Sequence, residues 1–165
     1  MAGENADTVC KKLGFDNWAR IEAVGFSGGI WSLWNDPLKV TIISTNPQYM
    51  LLEVMNTSHD KWTFAVVYAS PTPHLRQKLW NTLKRDNLNI TTPWIAAGDF
   101  NSVTKKEEVS NPDHFEAHRC SRFNEWIFDE AMIDLGFIGQ CFTWKRGTDN
   151  VNFKGARLDR VLCSI

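Results

Sequence analysis

The run Trp94-Ile95-Ala96-Ala97-Gly98-Asp99-Phe100-Asn101 constrains the fold more than any other part of this chain. Its apolar first half, bounded by Pro93 and Gly98, suits a short strand buried on both faces. Asp99 and Asn101 then sit at the C-terminal end of that strand, alternate residues pointing the same way. A carboxylate and a carboxamide at a strand mouth can hold a metal-bound water and a phosphate oxygen. In the competing reading, Asp and Asn merely start a turn.

Other stretches extend the pattern. Downstream lies Ala156-Arg157-Leu158-Asp159-Arg160-Val161-Leu162, a second acidic residue inside a β-type run. Gly139-Gln140-Cys141-Phe142-Thr143-Trp144 lies between, and Phe64-Ala65-Val66-Val67-Tyr68-Ala69-Ser70 lies upstream. "GFSGGIWSLW", "PWIAAGDFN", "MIDLGFIGQCFTWKRG" and "ARLDRVL" follow one another along essentially the whole chain. This ordered set resembles the endonuclease/exonuclease/phosphatase superfamily, whose fold is deoxyribonuclease I-like. Within it, the set is most similar to the endonuclease domain of plant non-LTR retrotransposons.

Size and composition fit that picture without demanding it. A chain of 165 residues predicts one domain, long enough to bury roughly 70% of its unfolded surface. With 43% hydrophobic residues and eight Trp, a globular core is expected rather than disorder. No apolar run approaches the ~20 residues needed to span a bilayer. The acidic start, Met1 to Asp7, lacks the apolar segment of a secretory signal. The default expectation is a soluble intracellular protein, nuclear or cytoplasmic, with no membrane partner. Cys10, Cys120, Cys141 and Cys163 show no CxxC spacing and read as reduced and mostly buried. His114 and His118 are spaced as a helical metal pair, but no Cys pair or HExxH pattern completes a zinc site. The net charge of −1 leaves no electrostatic footprint of a strong nucleic-acid binder. Lys145, Arg146, Lys154, Arg157 and Arg160 gather beside the motifs, either to meet phosphates or as solvated surface.

Residues 4–13 predict a short helix with Val9, Cys10 and Leu13 on one side. Strands are expected at 19–26 and 30–35, turning at Ser27-Gly28-Gly29, then at 39–44, 48–55 and 62–69. Leu75, Leu79, Trp80 and Leu83 give helical spacing across 74–86. Residues 102–117 read as a polar surface loop, and Phe123, Trp126, Ile127 and Ala131 mark a helix over about 118–132. The last strands are expected at 141–145 and 156–163. Periodicity gives a mixed α/β class, and the resemblance implies a two-sheet β-sandwich flanked by helices.

The resemblance also implies a chemistry, Mg²⁺-dependent hydrolysis of phosphodiester bonds in DNA. Asp99 would orient or activate the attacking water, and Asn101 would donate to a phosphate oxygen and approach the metal. Tyr68 would contact the phosphate; alternatively it is a strand aromatic whose hydroxyl finds a backbone partner. Thr143 and Trp144 match a Thr-Trp pair beside the substrate groove, though a strand Trp is more often packing. Arg157 joins them as a candidate substrate contact. Asp159 matches the carboxylate that orients a catalytic histidine; the alternative is a strand ion pair with Arg157 or Arg160.

The chain also departs from the pattern. The family's early Asn motif and metal-binding Glu would precede the segment beginning at Glu4, and neither Glu4 nor Glu22 stands in their context. The family's closing Ser-Asp-His motif would follow the Leu158-Asp159-Arg160 strand, and none of His59, His74, His114 and His118 lies there. The expectation is a domain truncated at both ends, with an incomplete site and little or no nuclease activity alone. Loss of a general acid–base group costs about 10²–10⁴-fold by itself. Missing strands would also leave apolar edges open to aggregation or to a partner chain, and a marginally stable fold. The other function class open to such a chain is a catalytically dead module that binds nucleic acid or protein.

Overall fold

The computed structural model describes residues 4–22, 29–148 and 152–165. Its centre is a six-stranded mixed sheet in the order β3-β4-β5-β6-β10-β7. The strands are β3 (Lys39–Asn46), β4 (Tyr49–Met55), β5 (Lys61–Tyr68), β6 (Trp94–Asp99), β7 (Met132–Asp134) and β10 (Asp159–Ser164). Two antiparallel ribbons stand apart from it, β1 (Asn17–Ile21) with β2 (Ile30–Trp34), and β8 (Trp144–Arg146) with β9 (Lys154–Ala156). The helices are α1 (Glu4–Lys12), α2 (Pro73–Thr82) and α3 (Ser121–Asp129). None of them is long and apolar enough to cross a membrane.

Strand alternation sorts the sheet into two faces. On β4 and β5, Tyr49, Leu51, Ala65 and Val67 point to the helices, where Leu79 and Trp80 of α2 and its C-cap Leu83 meet Phe123 and Trp126 of α3. An aromatic stack fills that layer: the Trp80 and Phe123 rings lie 4.7 Å apart, and Phe100 lies 5.2 Å from Phe123. On the opposite face Met50, Leu52 and Val54 pack under Ala19 and Ile30 of the β1–β2 ribbon. The sequence expectation of two sheets with outer helices therefore holds, the second sheet being this ribbon among the described residues. The ribbon lies over β4 and β5, so Val161 on β10 and Ile133 on β7 remain 37% and 48% exposed.

Most elements fall where periodicity puts them, and the exceptions have causes. The expected hairpin turn at Ser27-Gly28-Gly29, and residues 23–26 of the strand before it, lie largely outside the described residues. Leu13 and Leu75, both placed on apolar helix faces, are exposed. The expected helix over 118–132 stops at Asp129 because Ala131 turns into the left-handed region, φ 51°. Its tail becomes β7, which pairs with β10 through Ile133 and Cys163. The polar segment 102–117 contains two short 3₁₀ turns and the first residue of a third, and buries Glu108. Cys10 and Cys120 are buried, while Cys141 and Cys163 are half-buried.

β6 is the strand that places the site. It runs parallel to β5, with Val67 opposite Gly98 and Tyr68 opposite Asp99. It runs antiparallel to β10, with Asp159 opposite Asp99. Gly98 has φ +135°, and a Cβ built there would lie 2.0 Å from the Val67 carbonyl oxygen. No other residue type fits that approach without moving a strand. Gly98→Ala should therefore cost at least about 2–3 kcal/mol. Urea unfolding of the two proteins measures this, and equal midpoints would contradict it.

Candidate active site

Side chains directly opposite one another across neighbouring strands share a face. The registers Tyr68↔Asp99 and Asp99↔Asp159 therefore set these three side chains in one row across β5, β6 and β10. The row lies at one end of the face that also carries the β1–β2 ribbon. Asp99 and Tyr68 are half-buried and Asp159 is exposed. The Tyr68 hydroxyl has no hydrogen-bond partner among the described residues, so the backbone-satisfied alternative is not what the fold adopts. Tyr68 lines a cavity of about 560 Å³ with Gln48, Glu22 and Lys78.

Asn101 is folded back onto the row. Its φ of 46° places it in the left-handed region. Its backbone N–H donates to Asp99 Oδ1 at 2.7 Å, an Asx-type turn. Its amide Nδ2 donates to Asp99 Oδ2 at 3.2 Å and to the Ala69 carbonyl at 2.8 Å. The turn reading of Asp99-Phe100-Asn101 and the site reading are thus one geometry. Both amide hydrogens are engaged, and Oδ1 is left as the open polar atom of Asn101.

Burial pushes the Asp99 carboxyl above its ordinary 3.8. The Asn101 N–H pulls it down, the like charge of Asp159 pushes it up, and Arg76 pulls it down again. Arg76, in the first turn of α2, was not singled out by the sequence. Its Nη1 donates to the carbonyls of Ser70 at 2.8 Å and Pro71 at 3.1 Å. Arg76 and Asn101 line a groove of about 630 Å³, shared with Trp144, Phe153, Lys154 and Arg119.

The remaining sequence candidates divide sharply. Trp144 is not packing: it is 42% exposed and faces that groove. Thr143 is structural, its Oγ1 accepting the N–H groups of Leu158 at 3.0 Å and Asp159 at 3.1 Å. It thereby fixes the backbone that carries Asp159. Arg157, the candidate substrate contact, is engaged in an internal ion-pair network. Its guanidinium is buried, with Nη1 on Glu108 at 3.0 Å and Nη2 on Asp134 at 2.7 Å, and it lies over the Phe137 ring. Arg160 closes the same network, donating to Glu108 and Asp134 at 2.8 Å each. Neither arginine pairs with Asp159, because their carboxylate partners come from the 102–117 segment and β7. Of the five gathered cations, only Lys145, Arg146 and Lys154 are exposed. Among the described residues no three His, Cys, Asp or Glu side chains converge as a metal cluster.

The family model for the endonuclease/exonuclease/phosphatase family matches residues 10–164. The chain belongs to this family. No curated protein sequence matches it. Solved structures do. The endonuclease domain of TRAS1, a telomere-specific non-LTR retrotransposon, is 12% identical with a TM-score of 0.62, over 97% of this chain and 77% of that one. Truncated TDP2 of Caenorhabditis elegans is 14% identical with a TM-score of 0.61, over 99% and 68%. ANGEL2, a 2′,3′-cyclic phosphatase, is 10% identical with a TM-score of 0.50, over 98% and 65%. At these identities the likeness establishes the family's deoxyribonuclease I-like fold, and the shared mixed sheet is its content.

Two predictions follow from the charges. Burial alone would raise the Glu108 carboxyl, but hydrogen bonds from Arg160 hold it below its ordinary 4.5, and Arg157 does the same for Asp134 below 3.8. Such depressed carboxylates contribute stability that is full above those ordinary values and is lost as pH falls through the folded ones. Removing one partner strands a buried guanidinium, so Glu108→Ala should cost about 3–5 kcal/mol at pH 7. Denaturant unfolding between pH 7 and pH 3 reads both effects, and a Glu108→Gln protein with an unaltered acid limb would refute them. Carboxyl ¹³C titration should place Asp99 above 3.8, with Asp159→Asn shifting it down by removing the like charge.

Proposed function

We propose that the Asp99 row is the phosphodiester-binding side of a Mg²⁺-dependent nuclease site of the retrotransposon type, and that DNA is its substrate class. The observation that carries this reading is the in-register row Tyr68, Asp99, Asp159 with Asn101 latched to Asp99. Family membership and the resemblance of the motifs support it.

The residues present suit a hard cation. Asp99, its carboxyl raised chiefly by burial, and the Asn101 Oδ1, open among the described residues, form an all-oxygen donor set. Mg²⁺ prefers such donors and keeps several waters, so Asp99 and Asn101 would be the ligands these residues offer, fewer than the family's full set. Bound there, it would supply Lewis-acid polarisation of a phosphate oxygen. The chain's own groups have separate tasks. Asp99 accepts hydrogen bonds from the attacking water and orients it. The Tyr68 hydroxyl, without a partner among the described residues, donates to the phosphate. Asp159 would orient a histidine, and among the described residues none of His59, His74, His114 and His118 pairs with it.

The proposal therefore includes weak or absent turnover by these 165 residues alone. Without a group to protonate the leaving oxygen, the rate falls by about 10²–10⁴-fold. The second reading is a binding module that does not cleave. The exposed Trp144 with Lys145, Arg146 and Lys154 on the β8–β9 ribbon favours it, because an aromatic face among cations suits nucleic acid.

Nicking of supercoiled plasmid with Mg²⁺, compared between the chain and Asp99→Ala, tests the reading. The expected result is at most trace nicking by either, together with salt-dependent DNA binding by both. Robust nicking that Asp99→Ala abolishes would overturn the inactivity while confirming the site. Absence of any DNA binding at low salt would remove DNA as the ligand.

A further inference from the structure

We propose that Arg76 is the substrate-positioning cation of this site, donating to the non-bridging oxygens of the phosphodiester held beside Asn101. The inference rests on the proposed phosphodiester reading and adds the residue that the motifs omit.

Three observations meet at Arg76. The first is its anchoring. The turn between β5 and α2 presents three successive carbonyls, those of Ala69, Ser70 and Pro71. Asn101 takes the first, and Arg76 Nη1 takes the other two. One short stretch of backbone thus fixes the guanidinium and the Asn101 amide side by side. The second is what remains free. Nε and Nη2 of Arg76 make no hydrogen bond among the described residues, and the side chain lines the groove that Asn101 also lines. A guanidinium fork with two open donors matches two phosphate oxygens.

The third is charge. Asp99 and Asp159 put two carboxylates where an anionic phosphate must come. Arg76 is the cation whose field reaches Asp99. Burial disfavours its charge and Asp99 favours it. Asn101 cannot replace it as the donor, since both amide hydrogens are already engaged. Arg157, the cation expected from sequence, is buried, with Nη1 on Glu108 and Nη2 on Asp134. Arg119 and Lys154 also line the groove, but both are exposed, and neither is tied to the backbone that holds Asn101.

The test is binding of a fluorescent DNA duplex to the full chain, titrated across salt concentrations. The proteins are the unmodified chain, Arg76→Gln, Arg76→Lys and, as a distant control, Arg122→Gln. Thermal melts first establish that each is folded. Arg76→Gln should weaken binding by about tenfold or more, the scale of a charge-assisted hydrogen bond. It should also reduce the salt slope by about one. Arg76→Lys, which keeps the charge but loses the fork, should recover part of the affinity. Arg122→Gln should bind as the unmodified chain does. The Arg76 Nε resonance should shift on adding the duplex.

If the chain binds DNA and Arg76→Gln binds equally with the same slope, the role of Arg76 is refuted and the phosphodiester reading stands. If the unmodified chain binds no DNA even at low salt, both are refuted. Should Arg76→Gln fail to fold, Arg76→Lys decides: affinity equal to that of the unmodified chain refutes the fork.

Discussion

Between Val67 and Gly98 there is no room for another carbon atom, and the rest of the site depends on that contact. It lets β6 lie in register between β5 and β10. Register in a sheet has a period of two, so a slip of one residue would turn Asp99 toward the helices and expose Phe100. Phe100 is instead fully buried in the aromatic layer with Trp80 and Phe123. The aromatic on one side and the acid on the other are thus the same constraint seen from two faces. Hydrophobic burial of Phe100 holds Asp99 in the row.

The two faces of β10 handle charge in opposite ways. Arg160 points inward, where Glu108 and Asp134 neutralise it over the Phe123 ring. Asp159, its neighbour in sequence, points outward toward Asp99, with no cation on β10 to offset it. A buried ion-pair network adds little net stability, because desolvation consumes most of the Coulombic gain. What it contributes here is location. Glu108 ties the 102–117 segment to β10, and that segment forms part of the wall of the groove beside Asn101. A structural network on one face therefore shapes the cleft at the sheet's end.

Much of this architecture was legible in the sequence. The Trp94–Asn101 run declared its own strand, and the strand expected at 62–69 is β5. The row of Tyr68, Asp99 and Asp159 could be named from motifs, although only the register brings the three together. What escaped has a common cause. Arg157 looked like a surface cation, because sequence displays its charge and hides its partners. Glu108 sat among charged neighbours in a polar stretch, and nothing local marks a carboxylate that will be buried by residues from another strand. Arg76 lies within the helical stretch 74–86, where only the apolar positions carried a signal. Trp144 was named as a groove residue against the usual packing of strand tryptophans, and its exposure comes from β8 belonging to a small outlying ribbon. Ala131 broke α3 early because β7 was needed as an edge partner, a demand made by the tertiary fold.

The turn at residues 69–71 has a consequence for how such a protein can vary in lineage. Every carbonyl in it is committed, one to Asn101 and two to Arg76. Ser70 and Pro71 contribute only main-chain oxygens to these bonds, while Ala69 is fully buried in the core. Length cannot drift. An inserted or deleted residue would rotate the carbonyls away from both donors in a single event, so this segment should behave as a ruler of fixed length.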